Sequence, residues 1–493
     1  MNRNIFRNMI AYEIYPTSFA DSNGDGIGDL KGITSKLDYL AKTGFNAIWL
    51  NPFYVSPFRD GGYDVEDFFD VDPRFGTLAD FGRLIRKAHK LGIKVIIDLV
   101  AGHASMDNPD FLESARAEKN DKSDLFIWNG NPWNRGNNFI SGMFDRHGCY
   151  MVNFFAHQPA FNYGFNRIDD PSYQMSYKDK RTFKAREYML EVMRFWLDKG
   201  ADGFRVDMAD SLVKNDEDKS ATIEVWKWMF RKIRKEYPQA FFVSEWSDPE
   251  RSFKAGFDAD FVLDHWDNFY HRLFRSDDNT RGTSVINGNN DVDFTLEDMK
   301  DRFSKAEKNH CYLGLISGNH DTWRIANYLD EEQLKMFYMF LLSMPGIPFI
   351  LYGDEIAMKT IHMPSKDGGF QRTGTRIPMI WNDEEGHGFS TNKDPYLPFS
   401  KENKVSVKQA TKDKDSLYNF IRELISLRKT IRDLSDPHVR IKEKDRVFTF
   451  ERGRYQLVMN MSDHDCLIEG KIVISSRDPE EKVPPKTAVL VKK

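Results

Sequence analysis

The sequence predicts an α/β protein: a (β/α)8 TIM barrel with an inserted B domain after strand three and a C-terminal antiparallel β domain. Three observations predict it. Short apolar runs alternate with helical stretches until eight strand-like segments have passed. The rhythm breaks once, over residues 102–172, where Asn, Gly, Asp and Phe abound and no βα unit is clear. From about residue 432 the pattern changes to polar–apolar alternation. Continuous apolar strands belong in a parallel sheet covered on both faces. Alternating strands belong in an antiparallel sheet with one wet face.

The segments follow in order. AYEIYP (11–16) reads as the first strand, and Leu37–Thr43 as a helix stopped by Gly44. NAIWLNP (46–52) is a buried strand closed by proline. Phe81–Leu91 is helical up to Gly92, and IKVIIDLV (93–100) is a β-branched third strand. A structureless loop of the length of 102–172 does not suit a compact domain, so this stretch reads as an insert. Arg186–Lys199 is a helix with Gly200 as its C-cap. ADGFRVDM (201–208), QAFFVSEW (239–246), ADFVLDHW (259–266), YLGLIS (312–317) and IPFILYG (347–353) complete the strands. The apolar run Met336–Met344 reads as a buried helix, and Leu417–Lys429 as the helix that closes the barrel. The expected domains are 1–101 with 173–431, 102–172, and 432–493 as a β-sandwich.

Composition narrows the function. The 493 residues carry 70 Lys+Arg against 75 Asp+Glu, a net charge of −5, which gives no general grip on nucleic acid. The three cysteines lie far apart and form no CxxC pair, so neither a disulfide framework nor a thiolate zinc site is expected. No run of 18 apolar residues occurs, so no membrane span is expected. The first residues lack a long apolar run before a small-residue cleavage site, which points to a cytoplasmic protein.

In a barrel enzyme the chemistry lies at the C-terminal ends of the strands. Here those ends carry Asp98 and His103, Arg205 and Asp207, Glu245, Asn319-His320-Asp321, and Asp354-Glu355. Charges on apolar strands are costly unless they are paired or functional. Three carboxylates with two histidines and an arginine suit sugar chemistry. A retaining glycosidase needs a carboxylate nucleophile and a carboxylic acid about 5–5.5 Å apart. Arg205 precedes Asp207 by two, so both face one side of the strand and the arginine favours an ionised nucleophile. Glu245 stands among Phe241, Phe242, Val243 and Trp246, surroundings that favour a protonated acid. Asp321 is left to orient sugar hydroxyls. Asp354 and Glu355 read as structural support of the barrel rim.

These residues sit in GYDVEDFFDVDPRFGT (62–77), DLVAGH (98–103), QPAFN (158–162), GFRVDMA (203–209), VSEW (243–246), SGNHD (317–321) and GIPFILYGDE (346–355). In order and spacing the set resembles the α-amylase superfamily, glycoside hydrolase family 13, over nearly the whole chain. The resemblance implies a retaining enzyme on α-glucosidic bonds, with Asp207 as nucleophile, Glu245 as acid/base and Asp321 as transition-state stabiliser. It implies that Asp64, His103, Arg205 and His320 hold the sugar. AYEIYPTSFADSNGDGIGDLKGI and RTGTRIPMIWND (372–383) are similar to oligo-1,6-glucosidases, α-glucosidases and trehalose-converting relatives. In those, the arginine matching Arg376 pairs with the aspartate matching Asp64 and walls off the site. The implied substrate is thus a short α-linked gluco-oligosaccharide cut from its non-reducing end. The alternatives are a glucosyl-transfer enzyme (a phosphorylase or a trehalose-synthase-like isomerase), an endo-acting amylase, and a non-catalytic relative. The last lacks the carboxylates that this chain has.

In the loop DSNGDGIGD, Asp21, Asn23, Asp25 and Asp29 alternate as hard oxygen donors, which suits Ca2+ or Mg2+. Gly32 stands where an EF-hand needs Glu. The resemblance adds the carbonyl of Ile27 and implies a structural ion. Departures from the family pattern are Gly102 for an Asn that binds a second calcium in many relatives, Ala160 for an acidic residue, Ser244 for Gly, and Met208 after the nucleophile. In α-glucosidases Val at that position goes with α-1,6 linkages and Ala or Thr with α-1,4, and Met208 fits neither.

Overall fold

The computed structural model describes residues 3–263, 268–275, 284–288, 292–368, 371–477, 479 and 482–493. Eight parallel strands close into a barrel: Ala11–Ile14, Ala47–Leu50, Lys94–Val100, Gly203–Asp207, Phe241–Ser244, Ala259–Val262, Tyr312–Ile316 and Ile347–Leu351. Each lies beside its sequence neighbour, and the first pairs with the eighth through Ala11 opposite Phe349. These are the eight segments read from the sequence, trimmed at their ends. The 264–266 part of ADFVLDHW lies outside the described residues. Seven of the strands are buried throughout, and only Lys94 at the start of the third is partly exposed.

Helices cover the barrel, and their ends follow from local chemistry. Leu30–Thr43 begins at Asp29, whose side chain accepts the Gly32 N–H, and ends at Gly44 in the left-handed region. It is longer by seven residues than the apolar spacing indicated (30 rather than 37 as its start). Leu78–Lys90 opens with a Thr77–Asp80 capping box. Phe183–Asp198, Ser220–Glu236, Pro249–Ala255, Val292–Lys308 and Glu331–Ser343 follow, and Leu417–Thr430 closes the layer. Helix Glu331–Ser343 is buried along nearly its whole length, as its apolar run requires.

Two regions leave the barrel plan. After the second strand, Tyr54–Val55 pairs antiparallel with Asp67–Val71, a ribbon that the sequence reading does not contain. Within 102–172, Phe139–Ser141 and Trp128–Asn129 flank Cys149–Met151 in a three-stranded antiparallel sheet. Ile127, Phe139, Cys149, Met151, Ala160 and Phe165 form a small core of its own. At the C-terminus, Arg440–Lys444, Val447–Arg452, Tyr455–Asn460, Thr487–Lys492 and Lys471–Ser475 make one antiparallel sheet. A two-stranded ribbon, Cys466–Leu467 with Lys482–Val483, lies beside it and shares a cluster of Val458, Val483, Val489 and Val491.

Candidate active site

A cavity of about 820 Å3 opens at the C-terminal ends of the strands. Asp207, Glu245 and Asp321 all line it. So do Asp60, Tyr63, His103, Gln158 and Arg372, while Phe154, Met208, Trp246 and Leu263 supply apolar wall.

Arg205 organises one side. Its Nη1 lies 2.6 Å from Asp98 Oδ1 and 2.9 Å from Asp207 Oδ1, and its Nη2 lies 2.7 Å from Glu245 Oε1. Glu245 Oε2 accepts the Met208 N–H at 2.9 Å, so both its oxygens are held. Asp207 Oδ2 makes none of the hydrogen bonds found among the described residues, which leaves it open toward the cavity. Met208 takes a φ of 40°, and this left-handed backbone turns its N–H onto Glu245. Three carboxylates thus share one cation. Burial outweighs Arg205 for each: Asp207 and Glu245 are pushed up to about 7, and Asp98 up to about 6. Arg205 does pull Asp207 down, as expected from its place two residues before it. The arginine acts, but desolvation in a fully buried site is larger.

The opposite wall has a different balance. Asp321 Oδ1 accepts Nη1 of Arg372 at 2.9 Å and Nη2 of Arg376 at 2.7 Å. Burial works against its charge, but His320, Arg372 and Arg376 override that and hold the carboxyl well below the usual range. His320 itself is pushed well down by burial, so the two arginines carry the field. Its Nδ1 faces Glu13 Oε1 at 2.8 Å, and its ring lies nearly parallel to those of Tyr63 and Tyr15. His103 is pushed down to about 3 by burial. It donates from Nε2 to the Tyr63 carbonyl at 3.1 Å and accepts from Asn153 at Nδ1.

The expected Asp64–Arg376 pair does not form. Asp64 accepts the Ser56 hydroxyl and the N–H groups of Arg59 and Asp60, which exhausts its carboxylate inside its own loop. That loop presents Asp60 instead. Arg372 binds Asp60 and Asp321 together, and Gln158 donates to Asp60 Oδ2 at 2.6 Å. Burial pushes Asp60 up to about 6, although Arg372 and Arg376 lower it. Sequence reasoning missed Asp60, Arg372 and Gln158. The signal was present: Asp60 opens the Asp-Gly-Gly-Tyr turn, and Arg372 and Arg376 flank the 3-10 turn Thr373–Thr375. Arg324 is structural, buried against Asp354 and the Tyr352 carbonyl.

Gly102 adjoins the insert: a Cβ there would meet Asn153 Nδ2 at 2.6 Å. Lys214, half-buried, donates to Asn153 Oδ1 and the Ser211 carbonyl, both at 2.6 Å, so an ammonium joins insert to barrel. The Asp21–Asp29 loop is held by its own hydrogen bonds. Asp21 accepts the N–H groups of Asn23, Gly24 and Gly26, Asn23 accepts that of Asp25, and Asp25 accepts that of Ile27. Asp29 accepts from Ser22 and caps a helix. Among the described residues, no three acidic, imidazole or thiol groups converge where a cation could sit. The donors of the loop are hard oxygens on alternate residues, the chemistry that a Ca2+ or Mg2+ ion takes, and these N–H groups leave lone pairs on each carboxylate.

The α-amylase catalytic-domain model matches residues 13–436, most of the chain. The chain belongs to the α-amylase family. Within that family it is 30% identical to an oligo-1,6-glucosidase of Parageobacillus thermoglucosidasius, over 87% of this chain and 84% of that protein. It is 32% identical to a trehalose synthase/amylase of Mycolicibacterium smegmatis, over 86% of this chain and 76% of that one. The trehalulose synthase of Pseudomonas mesoacidophila MX-45 superposes with a TM-score of 0.80 at 25% identity, covering 99% of each chain. α-Amylase-family membership makes the cavity a glycosidase-family site. Among the described residues, no helix is long and apolar enough to cross a membrane.

Proposed function

We propose that the protein is a retaining α-glucoside hydrolase that releases glucose from the non-reducing end of short α-linked gluco-oligosaccharides. The observation that carries this reading is the sharing of Arg205 between Asp207 and Glu245, with ionised Asp321 across the cavity. One guanidinium spanning both carboxyls suits the short separation of a retaining pair. Asp207 Oδ2 attacks the anomeric carbon. Glu245 gives its proton to the leaving oxygen, then takes one from the incoming water that cleaves the glucosyl–Asp207 ester. The charge of Asp321, fixed by two arginines, stabilises the oxocarbenium-like state. His103 and His320 position the sugar, and Arg205 positions the carboxylates of Asp207 and Glu245. The Asp60–Arg372 bridge closes the far wall of the glycone pocket, which favours a terminal glucose over an internal one.

The second reading is glucosyl transfer. Two relatives, a trehalose synthase/amylase and a trehalulose synthase, bear names of that kind. Both reactions pass through the same intermediate and differ in the acceptor. Products from maltose, isomaltose, trehalose and sucrose, each with and without phosphate, separate them. Free glucose from maltose or isomaltose, absent in Asp207→Ala, is the expected result. Glucose 1-phosphate, or an isomerised disaccharide without net hydrolysis, would replace the hydrolase reading with transfer.

A further inference from the structure

Ser244 stands where the family usually has glycine, directly before the acid/base, and a buried hydroxyl needs a partner. Ser244 lies in register with Asp260 on the next strand, and its Oγ donates to Asp260 Oδ1 at 2.7 Å. The same oxygen accepts the Ser247 N–H at 3.3 Å. Ser247 has a φ of 58°, in the left-handed region, so the turn after Glu245 is strained and must be held from outside. Asp260 is 1% exposed, and its second oxygen is buried with no hydrogen-bond partner among the described residues. The turn is held from two further sides. Ser252 Oγ of helix Pro249–Ala255 lies 2.6 Å from Ser244 Oγ, and Arg302 of helix Val292–Lys308 donates to the Ser247 carbonyl at 3.0 Å.

We propose that Asp260 is a positioning residue for Glu245: its carboxyl ties down the residues on either side of the acid and fixes the turn that presents Glu245 to the leaving-group oxygen. This rests on the acid/base role given to Glu245 above. Asp260 never touches substrate, since it lies behind the barrel wall against Ser244, Ser247 and the charges of Arg302 and Asp248. Burial pushes it up to about 8, toward its uncharged form. Asparagine reproduces that form: one accepting oxygen toward Ser244 and Ser247, one unpartnered N–H group.

The test uses two α-glucosides that differ only in leaving group. Methyl α-D-glucoside needs the proton of Glu245, whereas 2,4-dinitrophenyl α-D-glucoside leaves almost unaided. Asp260→Ala is expected to lose about 10- to 100-fold in kcat/KM on the first and less than about threefold on the second, part of what a general acid supplies. Asp260→Asn is expected to stay within about threefold of wild type on both. Equal losses on both substrates in Asp260→Ala, or no loss on either, would overturn the proposal. A crystal structure of Asp260→Ala decides it without substrate: the expected outcome is a Ser247 that leaves the left-handed region and a broken Glu245–Met208 contact. An unchanged turn counts against the positioning role. A wild type inactive on both glucosides would count against the α-glucoside reading instead, and the structural result would still stand.

Discussion

The two walls of the cavity differ in how many cations serve their carboxylates. On one wall Asp98, Asp207 and Glu245 share a single arginine, and burial drives all three toward their neutral forms. On the other, two arginines meet Asp321 and hold it ionised. The residue type is nearly constant; the local ratio of charge decides protonation. The cation-poor wall can store and move a proton. The cation-rich wall keeps a fixed negative charge for a developing positive one.

The strongest way to break this contrast is to empty the nucleophile position. Asp207→Ala is expected to lower kcat by about 10^4-fold or more, measured on the substrate that the product panel identifies. A loss below tenfold would remove Asp207 from the chemistry. Next comes the fixed charge: Asp321→Asn keeps the shape and deletes the charge, and is expected to cost about 10^2- to 10^3-fold in kcat with little change in KM. A change confined to KM would make Asp321 a ground-state binder only. Removing one cation from the rich wall sharpens the argument further. Arg372→Met is expected to cost about 10- to 100-fold in kcat/KM through lost charge-assisted bonds, and to admit longer chains as the Asp60 bridge opens. Product sizes from maltooligosaccharides check the second effect.

The pH profile reads the cation-poor wall directly. The proposed mechanism needs Asp207 ionised and Glu245 protonated. Falling pH protonates Asp207 and gives the acid limb, while rising pH strips Glu245 and gives the alkaline limb. With both pushed up to about 7, kcat/KM is expected to peak in a narrow range near neutrality and to fall on each side. A broad plateau from pH 5 to 9 would contradict the shared-cation arrangement. Asp321 is expected to give no limb in that range, because it stays ionised throughout. The smallest effect is expected from removing divalent ions. EDTA is expected to leave kcat/KM within about twofold, because none of the Asp21–Asp29 residues lines the cavity. A tenfold loss restored by Ca2+ would show that activity depends on a cation.

The barrel was legible in the sequence because strands buried on both faces must read as unbroken apolar runs. Asp207, Glu245 and Asp321 stood out as charges at the ends of such runs, and the cavity gathers all three. The Asp60–Arg372 bridge was not legible, because it joins two loops 312 residues apart and neither loop has a period that betrays its partner. Asp64 was the attractive choice within its motif, yet its carboxylate is turned inward by the N–H groups of Arg59 and Asp60. The ribbon of Tyr54–Val55 with Asp67–Val71 escaped because one partner has only two residues, too few to show alternation. The desolvation of Asp207 was not legible for a related reason: a neighbouring arginine is visible in sequence, and the depth of burial that opposes it is not.

The stacked rings of Tyr15, His320 and Tyr63 bear on how the protein comes off the ribosome. Tyr15 follows the first strand, Tyr63 the second and His320 the seventh, while Glu13 of the first strand holds His320. Arg376, emerging later still, donates to the His320 carbonyl and to Asp321. A nascent chain that has extruded its nucleophile, its acid and even its stabilising aspartate still lacks the arginines that fix the last of them. Early contacts cannot stand in for the missing ones, since the first strand must wait for the eighth to close the ring. Synthesis therefore assembles the cavity once, late and as a unit, and prematurely terminated chains are expected to be silent rather than partly active.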